Sequence, residues 1–279
     1  MHPILFWLGG SPYTTYAVLV PLGYAAGVLW LRGQLKHHGA APAELWGMVG
    51  TVLAGGVLGG KLGFFVVERR DFVRDPWGML RDWGTGWVFW SGLLAGMLAG
   101  LAYQWWHNRR YRPRAYLPVA DYCVAAVAIG HVIGRVACLM EGCCHGRPTA
   151  LPWGLSFTEP ACSVAAELRG IPLHPTQLYE ALGEAAAAAA LIGWVLPGIR
   201  AARWRYGTAF LGYLLYYSAL RFTIEFFRGD DRGVFLWPLL SPSQWTSLFA
   251  FAAVAAVLRR RGVIERDPAG RSLYADGAR

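Results

Sequence analysis

In lipid a backbone must satisfy its own hydrogen bonds, so a crossing segment is a helix or part of a closed barrel. This chain holds seven apolar runs close to or beyond the roughly 17–25 residues that a crossing helix needs. They are Tyr13–Leu31, Glu44–Val67, Gly86–Trp106, Pro118–Met140, Thr176–Leu196, Tyr206–Phe227 and Pro242–Leu258. The reading is an all-α, polytopic membrane protein with about seven transmembrane helices, forming a single integral membrane domain over residues 1–279. Only 15% of residues are charged, against about 25% in an ordinary soluble domain. The formal charge of +9 would point to nucleic acid in a soluble chain. Here it is read as basic anchoring of loops, with no nucleic-acid partner.

Fifteen of the 26 Lys and Arg residues follow spans one, three and five or lie in the C-terminal tail, eight lie in the opposite loops, and three lie inside spans. The positive-inside rule then places the N-terminus outside and residues 259–279 in the cytoplasm. Residues 141–173, between spans four and five, become an extracytoplasmic loop region. Met1–Gly10 has no basic leader region, so the first span is expected to direct insertion.

The three cations inside spans share one layer. Lys61, Arg135 and Arg221 each stand five or six residues before the outer end of their span. At about 1.5 Å per residue that is roughly 8–9 Å below the outer boundary. Charges at that depth are expensive and tend to be functional. The expectation is a pocket for an anion, most simply a phospholipid phosphate, set against snorkelling or internal salt bridges. Tyr217, Arg221 and Glu225 recur every four residues and so lie on one face of span six. Arg228 follows at the interface, where a planar guanidinium suits phosphate. Asp121, on span four, is too far from Arg135 to pair with it and is expected to meet a loop arginine such as Arg114.

Two polar motifs flank the outer loop. Gly134–Gly146 reads GRVACLMEGCCHG and contains Cys138, Glu141, Cys143, Cys144 and His145. His174–Glu180 reads HPTQLYE, in which Gln177, Tyr179 and Glu180 enter the bundle together. For the cysteines three readings stay open: a metal site, a disulfide from Cys143 or Cys144 to Cys162, or a reactive thiol. Paired CxxC spacing is missing, so no metal is expected, and no cofactor. Overlapping GxxxG spacings at Gly55, Gly56, Gly59, Gly60 and Gly63 are read as close helix packing.

These residues resemble the prolipoprotein diacylglyceryl transferase family. The likeness rests on GRVACLMEGCCHG, HPTQLYE and YSALRFTIEFFRGD at Tyr217–Asp230, with weaker matches at Gly59–Phe65 and Ser91–Gly96 and at Asp121. It implies transfer of the diacylglyceryl group of phosphatidylglycerol to the lipobox cysteine thiol of an exported prolipoprotein. A thioether forms and glycerol phosphate leaves. The partners implied are phosphatidylglycerol, the lipobox segment and membrane lipid, and the place is a bacterial inner membrane. Arg135 and Arg221 align with the family's two arginines, and Tyr217 and Glu225 with positions beside the second. The likeness makes Arg135, Arg221, Tyr217 and Glu225 the catalytic candidates, and His174 joins them by its chain position at the mouth of span five. Lys61, Trp90, Cys138, Glu141, Cys143, Gln177, Tyr179, Glu180 and Arg228 are the substrate-binding candidates.

The sequence departs from the family pattern in three places. Trp90 stands where the family has a histidine, Cys138 replaces an asparagine, and Cys143 replaces a glutamate. An indole only donates, so the base for the thiol proton is sought elsewhere, with His174 ahead of His145 and Glu141. The competing readings are a relative with another lipid or acceptor, a membrane thiol–disulfide oxidoreductase, and a non-catalytic lipid-binding protein.

Overall fold

The structure is a computed structural model that describes residues 1–82, 86–111, 115–230 and 239–259. It is mostly helical. Seven long helices stand where the seven apolar runs were read: α1 Thr15–Gly33, α2 Pro42–Val67, α3 Phe89–Arg110, α4 Tyr116–Glu141, α5 Thr176–Arg200, α6 Thr208–Glu225 and α7 Pro242–Arg259. By length and composition, α1, α2, α4 and α5 are long and apolar enough to cross a membrane. α5 passes through one π-helical stretch at Leu191–Val195.

The all-α reading missed a small antiparallel ribbon. Strands β1 Ile4–Leu8 and β2 Ser11–Thr14 pair across Gly9 and Gly10, whose φ values of 57° and 81° are left-handed. Glycine adopts that region without a Cβ penalty, which makes the tight turn possible. Thr14 then caps α1, its hydroxyl accepting the Ala17 N–H at 3.1 Å.

The chain forms two compact units. One comprises Ala40–Tyr116, and the other takes Met1–Gly39 with the described part of Leu117–Arg279. In the first, α2 packs along α3 through the small-residue spacing. A Cβ on Gly59 would come within 2.2 Å of Ala95 Cβ, and one on Gly63 within 1.9 Å of Ser91 Oγ. The GxxxG reading as helix packing therefore holds. The outward faces carry Leu53, Val57, Leu58 and Leu62 on α2 and Leu94, Leu98 and Leu101 on α3, all exposed. Rows of exposed leucine and valine suit contact with lipid tails.

In the larger unit α1 meets α4 just as closely. A Cβ on Gly27 would lie 2.6 Å from Ala126 O, and one on Gly23 lies 2.8 Å from Gly130 O. α6 packs against both α5 and α7. The start of α6 is fixed from outside. Asp121 accepts the Gly207 N–H at 2.6 Å and the Phe210 N–H at 2.8 Å, taking two donors that the first turn leaves unpaired. The expected arginine partner of Asp121 is thus replaced by a helix N-terminus, and Arg114 lies outside the described residues.

Residues 142–175 have a small core of their own. Phe157, Cys162, Val164 and Leu173 are buried with Leu139 from the end of α4. Fully burying Phe157 and Leu173 stabilises the segment by about 1.5–3 kcal/mol each.

Candidate active site

The interior of the larger unit carries a continuous polar network across α4, α5 and α6. On α5, Glu180 is fully buried, and its Oε1 accepts Arg135 Nη2 at 2.9 Å and the Tyr217 hydroxyl at 3.0 Å. Its Oε2 lies 3.7 Å from Arg221 Nη1. One carboxylate therefore sits between arginines from two different helices. Arg221 Nη2 reaches Glu225 Oε2 at 2.6 Å and donates to Ser243 Oγ of α7 at 3.1 Å.

One turn further along α5, Glu184 is also fully buried. It accepts the Tyr213 hydroxyl at 2.9 Å and lies 3.4 Å from His131 Nδ1. Arg135 Nε donates to His131 Nε2 at 3.1 Å. That bond assigns His131 the tautomer with its proton on Nδ1, facing Glu184. The chain of contacts runs Tyr213, Glu184, His131, Arg135, Glu180, Tyr217 and Arg221. Burying so many charged groups is tolerable only because each cation meets a carboxylate.

Three buried atoms of that chain have no hydrogen bond among the described residues: Arg221 Nη1, Glu180 Oε2 and Glu184 Oε1. The first two face each other at 3.7 Å, too long for such a bond. A buried polar atom left unpaired costs about 1–3 kcal/mol. A donor and an acceptor so placed can be bridged by a hydroxyl, which accepts from one and donates to the other, whereas a bare phosphate oxygen can take only the Arg221 donor. The open cationic layer expected from sequence takes another form: Arg135 and Arg221 are already paired with carboxylates, and one guanidinium nitrogen of Arg221 remains for an anion.

A second polar layer lies where three chain segments cross. Gly146 N donates to His174 O at 2.9 Å, Arg147 N donates to Phe227 O at 2.9 Å, and His174 N donates to Arg147 O at 2.9 Å. Only glycine fits at 146, since a Cβ there would lie 2.4 Å from His174 Cβ and 2.6 Å from His174 O. His174 Nδ1 lies 3.1 Å from the Tyr179 hydroxyl, which accepts Trp153 Nε1 at 2.8 Å. Arg228 is nearly fully buried and holds Asp230 through two bonds of 2.8 and 2.6 Å. Arg228, for which the sequence leaves open reaching back or binding lipid phosphate, is engaged by an acid two residues on.

The first turn of α5 grips the vicinal cysteines. Thr176 Oγ1 donates to Cys144 O at 2.7 Å and Gln177 Nε2 donates to Cys143 O at 2.7 Å, while Gln177 Oε1 stays buried without a partner. Cys144 has φ 62°, a left-handed conformation costing roughly 1–2 kcal/mol for a residue with a Cβ. Hydrogen bonds from Cys138 and then Cys143 draw the Cys144 thiol well below the usual range, and the Arg228 guanidinium adds its charge and a further bond. All five cysteines are free. The disulfide to Cys162 does not form, because Cys162 is buried in the apolar cluster of the 142–175 segment. Glu141 serves that segment too, its main-chain carbonyl accepting the Ser163 N–H at 2.8 Å.

Lys61 belongs to the other unit. There its ammonium donates to the Asp82 carbonyl and faces the rings of Phe64, Trp87 and Phe65 at 5.3, 5.5 and 5.6 Å. Ring faces and a carbonyl are suitable surroundings for a buried ammonium. The side chain of Trp90 lies outside the described residues. Sequence reasoning missed Glu184, Tyr213, Ser243 and Asp230. Glu184 stands four residues after Glu180 and Tyr213 four before Tyr217, so helical spacing from each known site residue would have found both.

A family model described as prolipoprotein diacylglyceryl transferase matches residues 3–260. Among curated relatives, the phosphatidylglycerol–prolipoprotein diacylglyceryl transferase of Clostridium tetani is 31% identical over 249 residues, covering 89% of this chain and 93% of the relative. The protein of the same name from Geobacter sulfurreducens is 27% identical over 273 residues, covering 97% and 98%. That from Ruegeria pomeroyi is 34% identical over 224 residues, covering 75% and 74%.

Proposed function

Since this chain belongs to the prolipoprotein diacylglyceryl transferase family, we propose that it moves the diacylglyceryl group of phosphatidylglycerol to the lipobox cysteine thiol of a prolipoprotein. A carbon–sulfur bond forms, the carbon–oxygen bond to phosphate breaks, and the thiol proton goes to a base as glycerol phosphate leaves. The observation that carries this reading is the buried gap between Arg221 Nη1 and Glu180 Oε2, 3.7 Å wide, inside a network of fixed charge. A phosphate oxygen approaching Arg221 Nη1 from the side away from Glu180 meets a guanidinium donor that has no hydrogen bond among the described residues. Fixed donors aimed at developing charge lower the barrier without reorganising during the reaction.

Arg135 and Tyr217 hold Glu180 in place through 2.9 and 3.0 Å contacts, and Glu225 holds the other nitrogen of Arg221. In this assignment Arg221 binds phosphate, while Arg135, Tyr217 and Glu225 position the groups around it. His174 takes the thiol proton on Nε2, with Nδ1–H donated to the Tyr179 hydroxyl at 3.1 Å. Gln177, whose side-chain oxygen has no partner among the described residues, supplies an acceptor for the substrate. The seven helices are assigned as seven spans of a bacterial inner membrane, with the N-terminus outside and the C-terminus cytoplasmic. The asymmetry of basic residues supports that orientation.

The test is purified protein in phosphatidylglycerol-containing bilayers with a lipobox peptide, read by mass. A diacylglyceryl mass gain is expected, and it should vanish in Arg135→Ala and Arg221→Ala while folded protein remains. Arg221→Lys should retain little, because a point charge replaces a planar fork. Near-unchanged transfer by both alanine variants would sink the assignment.

A further inference from the structure

We propose that Cys138, Cys143 and Cys144 form a three-coordinate site for a soft monovalent metal cation of the Cu(I) class. Their three sulfur atoms all lie within 4.8 Å of one another. With metal–sulfur bonds of about 2.3 Å, a trigonal site sets its sulfurs about 4 Å apart, so closure takes shifts below about 1 Å. Thiol side chains on a helix end and a turn can move that far by small rotations.

The backbone already presents the thiols. Cys138 is buried in the last turns of α4, and Cys143 Sγ lies 3.8 Å from its carbonyl oxygen. The vicinal pair is clamped by Thr176 and Gln177 through its two carbonyls, and the left-handed turn at Cys144 is held by those bonds. That is an ordered set of three donors, unlike Cys162, which packs in an apolar cluster.

The donor set selects the ion. Thiolates favour Cu(I) and zinc over harder cations. Structural zinc takes four ligands in a tetrahedron. Here no fourth His, Cys, Asp or Glu atom joins the three sulfurs among the described residues. The neighbouring His145 lies with Nδ1 3.0 Å from Gly146 O. A three-sulfur set without a fourth protein donor matches the low coordination number of a soft monovalent ion. Binding one Cu(I) releases up to three thiol protons and leaves a net charge of −2. Arg228, whose guanidinium acts electrostatically on Cys144, and Arg135, three residues before Cys138 on the same helix, offset part of that charge.

The experiment uses the full chain in detergent, reduced, freed of reductant without oxygen, and titrated with Cu(I) against the chromophoric chelator bathocuproine disulfonate. The expected result is one Cu(I) withdrawn per chain, with X-ray absorption giving three sulfur neighbours at about 2.3 Å. Cys138→Ser and Cys144→Ser should each weaken binding at least tenfold, and Cys123→Ser should leave it unchanged. Size-exclusion profiles identify any variant that fails to fold, and the other variant then carries the comparison. Failure of the wild type to compete with the chelator would overturn the site. So would undiminished binding in folded Cys138→Ser or Cys144→Ser, a spectrum with two sulfurs or with nitrogen and oxygen neighbours, or a disulfide within the trio recovered from protein kept under reductant.

Discussion

Replacing Glu180 by glutamine keeps its volume and removes its charge. The carboxylate is fully buried, within 2.9 Å of Arg135 and 3.7 Å of Arg221. An amide oxygen at the Oε1 position would still accept from Arg135 and Tyr217. The amide nitrogen would then face Arg221 Nη1, donor against donor. Arg221 keeps Glu225 at 2.6 Å, but Arg135 has no other carboxylate partner among the described residues. Leaving one partner of a buried ion pair uncompensated costs about 3–5 kcal/mol. At roughly 2–4 °C per kcal/mol, the range for chains slightly shorter than these 279 residues, the melting midpoint should fall by about 6–20 °C. Glu225→Gln should fall less, because Arg221 retains Ser243 at 3.1 Å and Glu180 beside it. The assay is unfolding of the detergent-solubilised protein followed by tryptophan fluorescence, run side by side for wild type and both variants. A Glu180→Gln midpoint within 1 °C of wild type, or a larger fall in Glu225→Gln, would refute the view of Glu180 as the hub.

Gly146→Ala should lose folded protein or melt at least several degrees lower. Its Cβ would press on two backbone oxygens, and overpacking of that kind costs about 1–3 kcal/mol or more; an unchanged melting curve would contradict the crossing at Gly146, His174 and Phe227. His174→Ala should reduce transfer to a lipobox peptide by about 10²–10⁴-fold while the protein still binds phosphatidylglycerol vesicles, the range for a lost general base. A loss below threefold would leave His174 a packing residue. In intact cells after mild reduction, a membrane-impermeant thiol reagent should label the half-exposed Cys143 and Cys144, and spare buried Cys162. Labelling only after the membrane is breached would reverse the assigned orientation.

What the sequence discloses here follows from which physical effects are local. A twenty-residue apolar run is a local property, and all seven long helices coincide with such runs. An arginine inside one of them stands out for the same reason, so Arg135, Arg221 and the polar start of α5 were visible at once. Partner choice is not local. Asp121 was sent to a loop arginine because charge seeks charge. It found instead two backbone N–H groups of α6, some 86 and 89 residues away, whose partial charge no side-chain reading displays. A disulfide from Cys143 or Cys144 to Cys162 is one of three readings open to the sequence, yet Phe157, Val164 and Leu173 bury Cys162 as a small hydrophobe. Glu184 opens an alanine run, where one acid looks like a lapse in an apolar helix. Its meaning comes only from Tyr213 and His131 on the two neighbouring helices. The equal depth of Lys61, Arg135 and Arg221 measured position along each helix and left direction around it undetermined. The helices turn Arg135 and Arg221 toward Glu180, and Lys61 is taken up by ring faces and a carbonyl of its own unit. Depth alone therefore predicts that a charge is enclosed, and rotation about the helix axis decides whether its partner is a carboxylate, a ring or a ligand.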